Sequence, residues 1–236
     1  MNHPEELARL RSEYSRREER LASSDRYSSF NPAYLYAIHQ RQAATFHALR
    51  KAGIRNLKDQ KILEIGCGSG RVLLEYLAAE AQQCNIFGID IQQKPLSAAQ
   101  KRLPDASFAC CNGEYLPFPT AHFDLVLQYT AFSSVLEDAI RINMAKEALR
   151  VLKPGGIIVW YDFWTNPLNK QTHGIRAAEI RSLFPNCEHH IRKITLAPPI
   201  TRRLVPRFTL VAYILEALSI FNSHLLATIR QKNSRT

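Results

Sequence analysis

From Lys61 onward, short apolar runs alternate with stretches whose apolar residues recur at helical spacing. KILEIG precedes RVLLEYLAAEA, NIFGIDI precedes LSAAQKRL, and SFACC leads to FDLVLQY, a helical stretch over residues 136–152, the turn KPGG and GIIVWYDF. Runs this short and this continuously apolar suit strands covered on both faces, so the alternation predicts five parallel strands between residues 61 and 165, packed under helices. After them come a short helix AEIRSLF, a strand HHIRKITLA, the basic proline-containing stretch PPITRRLVPR, an apolar helix over 208–221 and a last strand HLLATIRQ. The final two strands are expected to pair antiparallel with that helix inserted between them. The fold class is therefore α/β, a doubly wound, mostly parallel seven-stranded sheet with an antiparallel last strand and helices on both faces.

Upstream, residues 3–22 read as a charged helix. A second helix runs from Pro32 to Ala52, with Tyr36, Ile38, Ala43, Phe46 and Leu49 as an imperfect apolar stripe ended by Gly53. This divides the chain into an N-terminal helical lid or appendage, 1–58, and a main domain, 59–236, in which 198–222 form a basic and apolar helical insertion. Tyr27, Phe30 and Tyr34 make the junction unusually aromatic and are candidates for part of the lid.

A length of 236 residues suits one sizeable domain, and 46% apolar with 22% charged residues excludes a disordered chain. Five cysteines without a CxxC pair offer neither a disulfide framework nor a zinc site, so no metal is expected. The first residues alternate acids and bases without an apolar segment, which points away from a secretory signal or membrane anchor and towards the cytoplasm. The net charge of +10 is uneven: residues 166–236 hold 11 basic and 3 acidic groups, whereas 61–165 hold 9 and 11. Basic flanks of this kind steer anionic partners. Nucleic acid is disfavoured, because no recognition domain or NPPY-like tetrapeptide for a flipped base accompanies the charge. Peripheral contact with anionic lipid, or with a dimer partner, is assigned to 200–221, and no segment is long enough to span a bilayer.

The strongest local signal is Ile62-Leu63-Glu64-Ile65-Gly66-Cys67-Gly68-Ser69-Gly70-Arg71, a strand running into glycines and then a helix. Glycines let the backbone turn tightly and approach a ligand, and the helix N-terminus favours a polar or anionic group. Asp90 closes the second strand, where a carboxylate accepts both hydroxyls of a ribose. These features specify a nucleoside-containing cofactor. A dinucleotide fingerprint GxGxxG would need glycine where Arg71 stands, which disfavours a nicotinamide oxidoreductase. Glu64 beside the loop repels a pyrophosphate and favours a cationic ligand.

In these motifs the chain resembles a class I S-adenosylmethionine-dependent methyltransferase of the type 11 small-molecule group. LEIGCGSG, GIDI, CNGEYLPFP, FDLVLQ and EALRVLKPGG stand in that family's order across residues 61–161. The resemblance implies S-adenosyl-L-methionine as cofactor and S-adenosyl-L-homocysteine as product. It implies that Glu64, Gly66, Cys67, Gly68 and Gly70 hold the amino-acid end, Asp90 the ribose, and Ile91 one side of the adenine. Asn112, followed by Gly113 and Glu114, stands where the family offers an acid to the adenine amino group. Gln128 and Tyr129 line the methyl and acceptor side.

The expected reaction is methyl transfer to a small molecule, with a hydroxyl of a sugar, lipid-linked or secondary metabolite favoured over carbon or nitrogen of a hydrophobic or aromatic acceptor. A noncatalytic nucleoside-binding protein is the non-enzymatic alternative. A hydroxyl acceptor calls for a nearby base, and His39, His173, Tyr129 and Asp162 are the candidates.

Overall fold

The computed structural model describes residues 4–21, 24–166 and 169–232. The outermost residues of the expected first helix, and Pro167 and Leu168 before His173, lie outside them. Seven strands, β1 (Ile62–Ile65), β2 (Ile86–Asp90), β3 (Ser107–Cys110), β4 (Phe123–Tyr129), β5 (Leu152–Phe163), β6 (Cys187–Leu196) and β7 (Asn222–Gln231), form one sheet in the order β3-β2-β1-β4-β5-β7-β6. Only β7 runs against its neighbours, which makes the sheet mostly parallel as the sequence predicts.

Helices α1 (Pro4–Leu21), α2 (Pro32–Lys51), α3 (Arg71–Ala78), α4 (Gln93–Arg102), α5 (Asp138–Val151), α6 (Ala177–Leu183) and α7 (Pro198–Ala217) surround it. Strand parity sends side chains alternately to two apolar cores. Leu63, Ile65, Val126 and Trp160 face Leu10 of α1 and the buried faces of α5 and α6, whereas Ile62, Leu125, Leu127 and Val159 face α2 and α3. Helix α2 starts where Asn31 caps it, its side-chain oxygen accepting from the Ala33 and Tyr34 amides at 3.1 and 3.3 Å, with Pro32 in the first turn.

Two expectations are corrected. Lys153–Gly156 is a bulge inside β5 and not a turn that precedes it, since β4 pairs with both Leu152 and Ile157. Gly155 adopts φ +79° there, and Lys153 donates to Asp124 of β4 at 2.8 Å, which pins the bulge. Helix α7 begins at Pro198 and not at Phe208. Prolines in its first turn sacrifice no hydrogen bond, whereas Pro206 inside it leaves a kink at Phe208 (φ −136°, ψ 55°).

Candidate functional site

Strand β1 ends in a loop whose glycines Gly66, Gly68 and Gly70 take φ of +75°, +51° and +73°, conformations that side chains disfavour. Four of its amides are engaged, three of them by β2. Gly66 and Cys67 donate to the Ile89 carbonyl at 2.8 and 2.9 Å, Gly70 to the Cys67 carbonyl at 2.9 Å, and Gly68 to Asp90 Oδ2 at 2.9 Å. What the loop offers is space: a Cβ on Gly68 would meet nothing within 4 Å, whereas one on Gly66 would lie 2.8 Å from Ala131 Cβ. Asp90 links this loop to α4, its Oδ1 accepting from the Gln92 amide at 2.9 Å. Burial raises its carboxyl pKa, against the pull of the Gln92, Gly68 and Ile91 amides.

A cavity of about 200 Å³ opens at the carboxyl ends of β1, β2 and β4. Gly66, Gly68, Asp90, Ile91, Asn112, Gly113 and Tyr129 line it, so seven of the residues named from the sequence converge. Its remaining walls are mostly apolar, with Ile65, Ile89, Ile140 and Met144. The roof is α1, through Leu7, Leu10, Tyr14 and Arg17. Sequence reading expects a lid from the N-terminal segment but looks for it at Tyr27, Phe30 and Tyr34, not at this stripe on α1. Tyr14 donates to Ser134 Oγ at 2.8 Å, Glu6 accepts from the Leu136 amide at 2.7 Å, and Arg9 donates to the Ser134 carbonyl at 2.6 Å. Helix α1 is thus tied to the loop after β4.

Other named residues stand behind the cavity and not in its wall. Glu64 lies on the α2 side of the sheet by strand parity, almost fully buried, with Oε2 lacking a partner. Burial pushes its carboxyl well above the usual carboxylate range, opposed by Arg41 of α2. Cys67 packs beneath the loop against Gly88, and Gly70 caps α3 against Ala99. Glu114 turns to Asn143 Nδ2 at 2.9 Å and Asn112 Nδ2 at 2.8 Å. Asn112 Oδ1, the oxygen expected to meet adenine, accepts the Glu114 amide at 3.1 Å. Gln128 Oε1 accepts from the Ala131 amide at 3.1 Å and so braces the loop after β4. Thr130 in that loop lines the cavity at φ +59°, a strained position for a β-branched residue, held by its amide donating to the Tyr161 carbonyl at 2.8 Å.

The four candidate bases do not gather at the cavity. Tyr129 reaches it, but its hydroxyl is hydrogen-bonded to that of Tyr76 at 3.0 Å, and burial pushes its pKa up to about 12. His39 is exposed on α2, and His173 sits with Nε2 2.9 Å from Glu179 Oε2; neither lines the cavity. Asp162 is fully buried, accepting from the Ser133 amide at 3.0 Å and the Phe163 amide at 2.8 Å. It braces the same loop as Gln128, because both face the α5 side of the sheet.

Burial pushes the Asp162 carboxyl up from 3.8 to about 6, so the folded state holds this proton more tightly than the unfolded chain. Its stabilising effect is complete below pH 3.8 and is lost as pH rises through about 6. The loss amounts to about 3 kcal/mol. Relative to wild type, Asp162→Asn should therefore gain stability between pH 4 and pH 6, a trend read from paired thermal melts; parallel curves would refute this titration.

Among the described residues no group of three or more His, Cys, Asp or Glu is placed to hold a metal. Tyr27 and Tyr34 form an edge-on pair at 5.5 Å beside Arg71, which donates to the Tyr27 carbonyl and the Tyr34 hydroxyl, whereas Phe30 is 98% exposed. None of these three rings lines the cavity.

Comparison with known proteins bears on this arrangement. The methyltransferase-domain family matches residues 62–156. An uncharacterized methyltransferase of Synechocystis sp. is 30% identical over 149 residues, 60% of this chain and 68% of that protein. The 2-methyl-6-phytyl-1,4-hydroquinone methyltransferase of the same organism is 33% identical over 128 residues, but the match covers 47% of this chain and 38% of that protein. Among solved structures, an S-adenosylmethionine-dependent methyltransferase from Mesorhizobium loti superposes with a TM-score of 0.58 at 18% identity, covering 80% of this chain and 98% of that one, a likeness of fold. With the motif order, the seven-stranded sheet and these matches together, the chain belongs to the class I S-adenosylmethionine-dependent methyltransferases of the type 11 kind, and S-adenosylmethionine is its cofactor.

Proposed function

We propose that the protein transfers the methyl group of S-adenosylmethionine to a small hydrophobic molecule, aromatic or lipid-linked, at a hydroxyl or a ring carbon. The observation that carries this reading is the crevice itself, in which Asp90 and the glycine loop share the lining with the apolar Ile140 and Met144. Those residues fit the cofactor. Asp90 keeps acceptor capacity for a ribose hydroxyl beside the amides it already holds, Ile91 and Met144 offer apolar faces to a base, and the open space over Gly68 admits a chain. Glu64, buried on the α2 face with Oε2 unpartnered, stands behind the loop and not in this wall. Cys67 and Gly70 shape the loop from behind, while Gln128 and Asp162 hold Ala131 and Ser133 in place.

The bound cofactor supplies an electrophilic methyl on a sulfonium, leaving positioning and water exclusion to the chain. Helix α1 serves the second need as a roof. Among the described residues, apart from Asp90, which is assigned to the ribose, no cavity-lining group is poised as a base at neutral pH: burial pushes Cys111 up to about 11 and Tyr129 up to about 12, and raises Tyr14. An acceptor that carries its own nucleophilicity, such as a phenol or an electron-rich ring, needs least help. The relative acting on 2-methyl-6-phytyl-1,4-hydroquinone supports that class; a sugar hydroxyl is supported less, because its proton would find no acceptor. Five unpaired cysteines suit a reducing, cytoplasmic compartment.

The test is calorimetric titration with S-adenosylhomocysteine, followed by incubation of cell extract with methyl-labelled cofactor and mass spectrometry of the products. Saturable binding and a labelled apolar product are expected. A folded protein that ignores S-adenosylhomocysteine at millimolar concentration would overturn the reading, and label on a sugar or on nucleic acid would overturn the acceptor class.

A further inference from the structure

Helix α7 is rooted at its start and bare at its end. Thr201 donates to the Leu196 carbonyl at 2.9 Å, Val205 and Ala212 are buried, and Tyr213 meets Tyr36 edge-on at 5.0 Å. Beyond the kink, Phe208, Leu210, Ile214, Leu218, Ile220 and Phe221 are exposed, Leu210 to 73% and Ile220 to 68%. Before the kink, Arg202, Arg203 and Arg207 are exposed as well. The single acid between residues 198 and 221, Glu216, turns inward, its Oε1 accepting from the Thr195 amide at 3.0 Å. The result is a contiguous apolar surface with a cationic collar and no exposed carboxylate on the same helix.

We propose that this face of α7 docks the protein on an anionic lipid surface. The apolar half, residues 208–217, extends about 15 Å, half the thickness of a hydrocarbon core, so it suits the interface and not a crossing. Among the described residues, no helix is long and apolar enough to cross a membrane. Aromatic and aliphatic side chains beside arginines have the chemistry of an interfacial helix, with apolar burial and attraction to anionic headgroups acting together. The excess of 11 basic over 3 acidic residues in 166–236 adds a long-range field of the same sign. A symmetric pairing of two copies through this face would bring both arginine collars into one interface, with no exposed acid on the helix to answer them. The connections to α7 leave the sheet at Leu196 and return at Asn222, the edge at which β5 ends, so docking would turn the crevice end of the sheet towards the bilayer.

The experiment is co-sedimentation of the full chain with vesicles of phosphatidylcholine alone and of phosphatidylcholine mixed with phosphatidylglycerol. Binding to the mixed vesicles is expected, weakening as salt is raised, with little on phosphatidylcholine alone. Leu210→Asp with Ile214→Asp should weaken it about tenfold or more, as should Arg202→Gln, Arg203→Gln and Arg207→Gln together, since each cation near an anionic surface is worth about fivefold. Circular dichroism and S-adenosylhomocysteine affinity should be unchanged in both variants. Vesicle binding by wild type without S-adenosylhomocysteine binding would remove the enzymatic reading and leave the docking standing. No binding to mixed vesicles, or equal binding by wild type and both variants, would overturn the docking. A dimer in sedimentation that the aspartate variant splits, without vesicle binding, would overturn it too and give the face to a second copy.

Discussion

Asp90→Ala is expected to bind S-adenosylhomocysteine roughly 30- to several-hundred-fold more weakly than wild type, a loss of about 2–4 kcal/mol. Two effects add. Among the described residues the carboxylate is the only acidic side chain in the cavity wall, and hydrogen bonds to a charged acceptor are worth more than neutral ones. Its Oδ2 also holds the Gly68 amide, so alanine frees the loop that shapes the crevice. Asp90→Asn, with one acceptor oxygen left, should fall between. Calorimetry beside a thermal melt separates binding from folding, and wild-type affinity in a folded Asp90→Ala protein would end the ribose assignment.

The second large effect is expected at Arg41, outside the family match. Arg41 pairs with Glu75 of α3, lies over the Tyr129 and Tyr161 rings at 5.2 and 5.6 Å, and opposes the burial of Glu64. Glu75, too, is raised by burial against the pull of Arg41. Arg41→Met would leave two buried acids without their cation, a loss of about 3–5 kcal/mol at neutral pH. In a domain of this size that lowers the melting temperature by about 6–20 °C. The sign with pH follows from the raised carboxyls: with no cation they hold protons still more tightly when folded, so the deficit is largest at neutral pH and shrinks as acid neutralises them. Adding Glu75→Gln should restore part of the loss. A deficit independent of pH would show that Arg41 acts through packing alone.

Much of the cavity wall is legible in the chain itself. The LEIGCGSG strand and loop, Asp90 and Ile91 after β2, and Asn112 and Gly113 after β3 occupy ends of neighbouring parallel strands, and neighbouring ends share a crevice whatever the rest of the chain does. The bases are not legible. His39 lies on α2, His173 in the loop after β5 and Asp162 within β5, and the first is exposed, the second engaged by Glu179 and the third buried under Ser133. Glu64 and Ile65 are adjacent in sequence, and a period of two puts them on opposite faces, so nearness to the glycines does not bring Glu64 into the wall. Helix α1 reads as a charged helix of the lid or appendage, and its stripe Leu7, Leu10, Tyr14 does not by itself say which crevice it covers.

Local physics therefore decided the order and type of the strands and helices, the glycines that turn at positive φ, and the acid at the end of β2. Each of these depends on the conformational preferences of a few consecutive residues, which any stretch of sequence carries with it. The tertiary structure decided which side chains face the crevice, that α1 roofs it, that Arg41 offsets the buried acids, and that half of α7 is left uncovered. Those outcomes arise where segments far apart in the chain compete for the same volume and the same hydrogen-bond partners, and no local pattern records which of them wins.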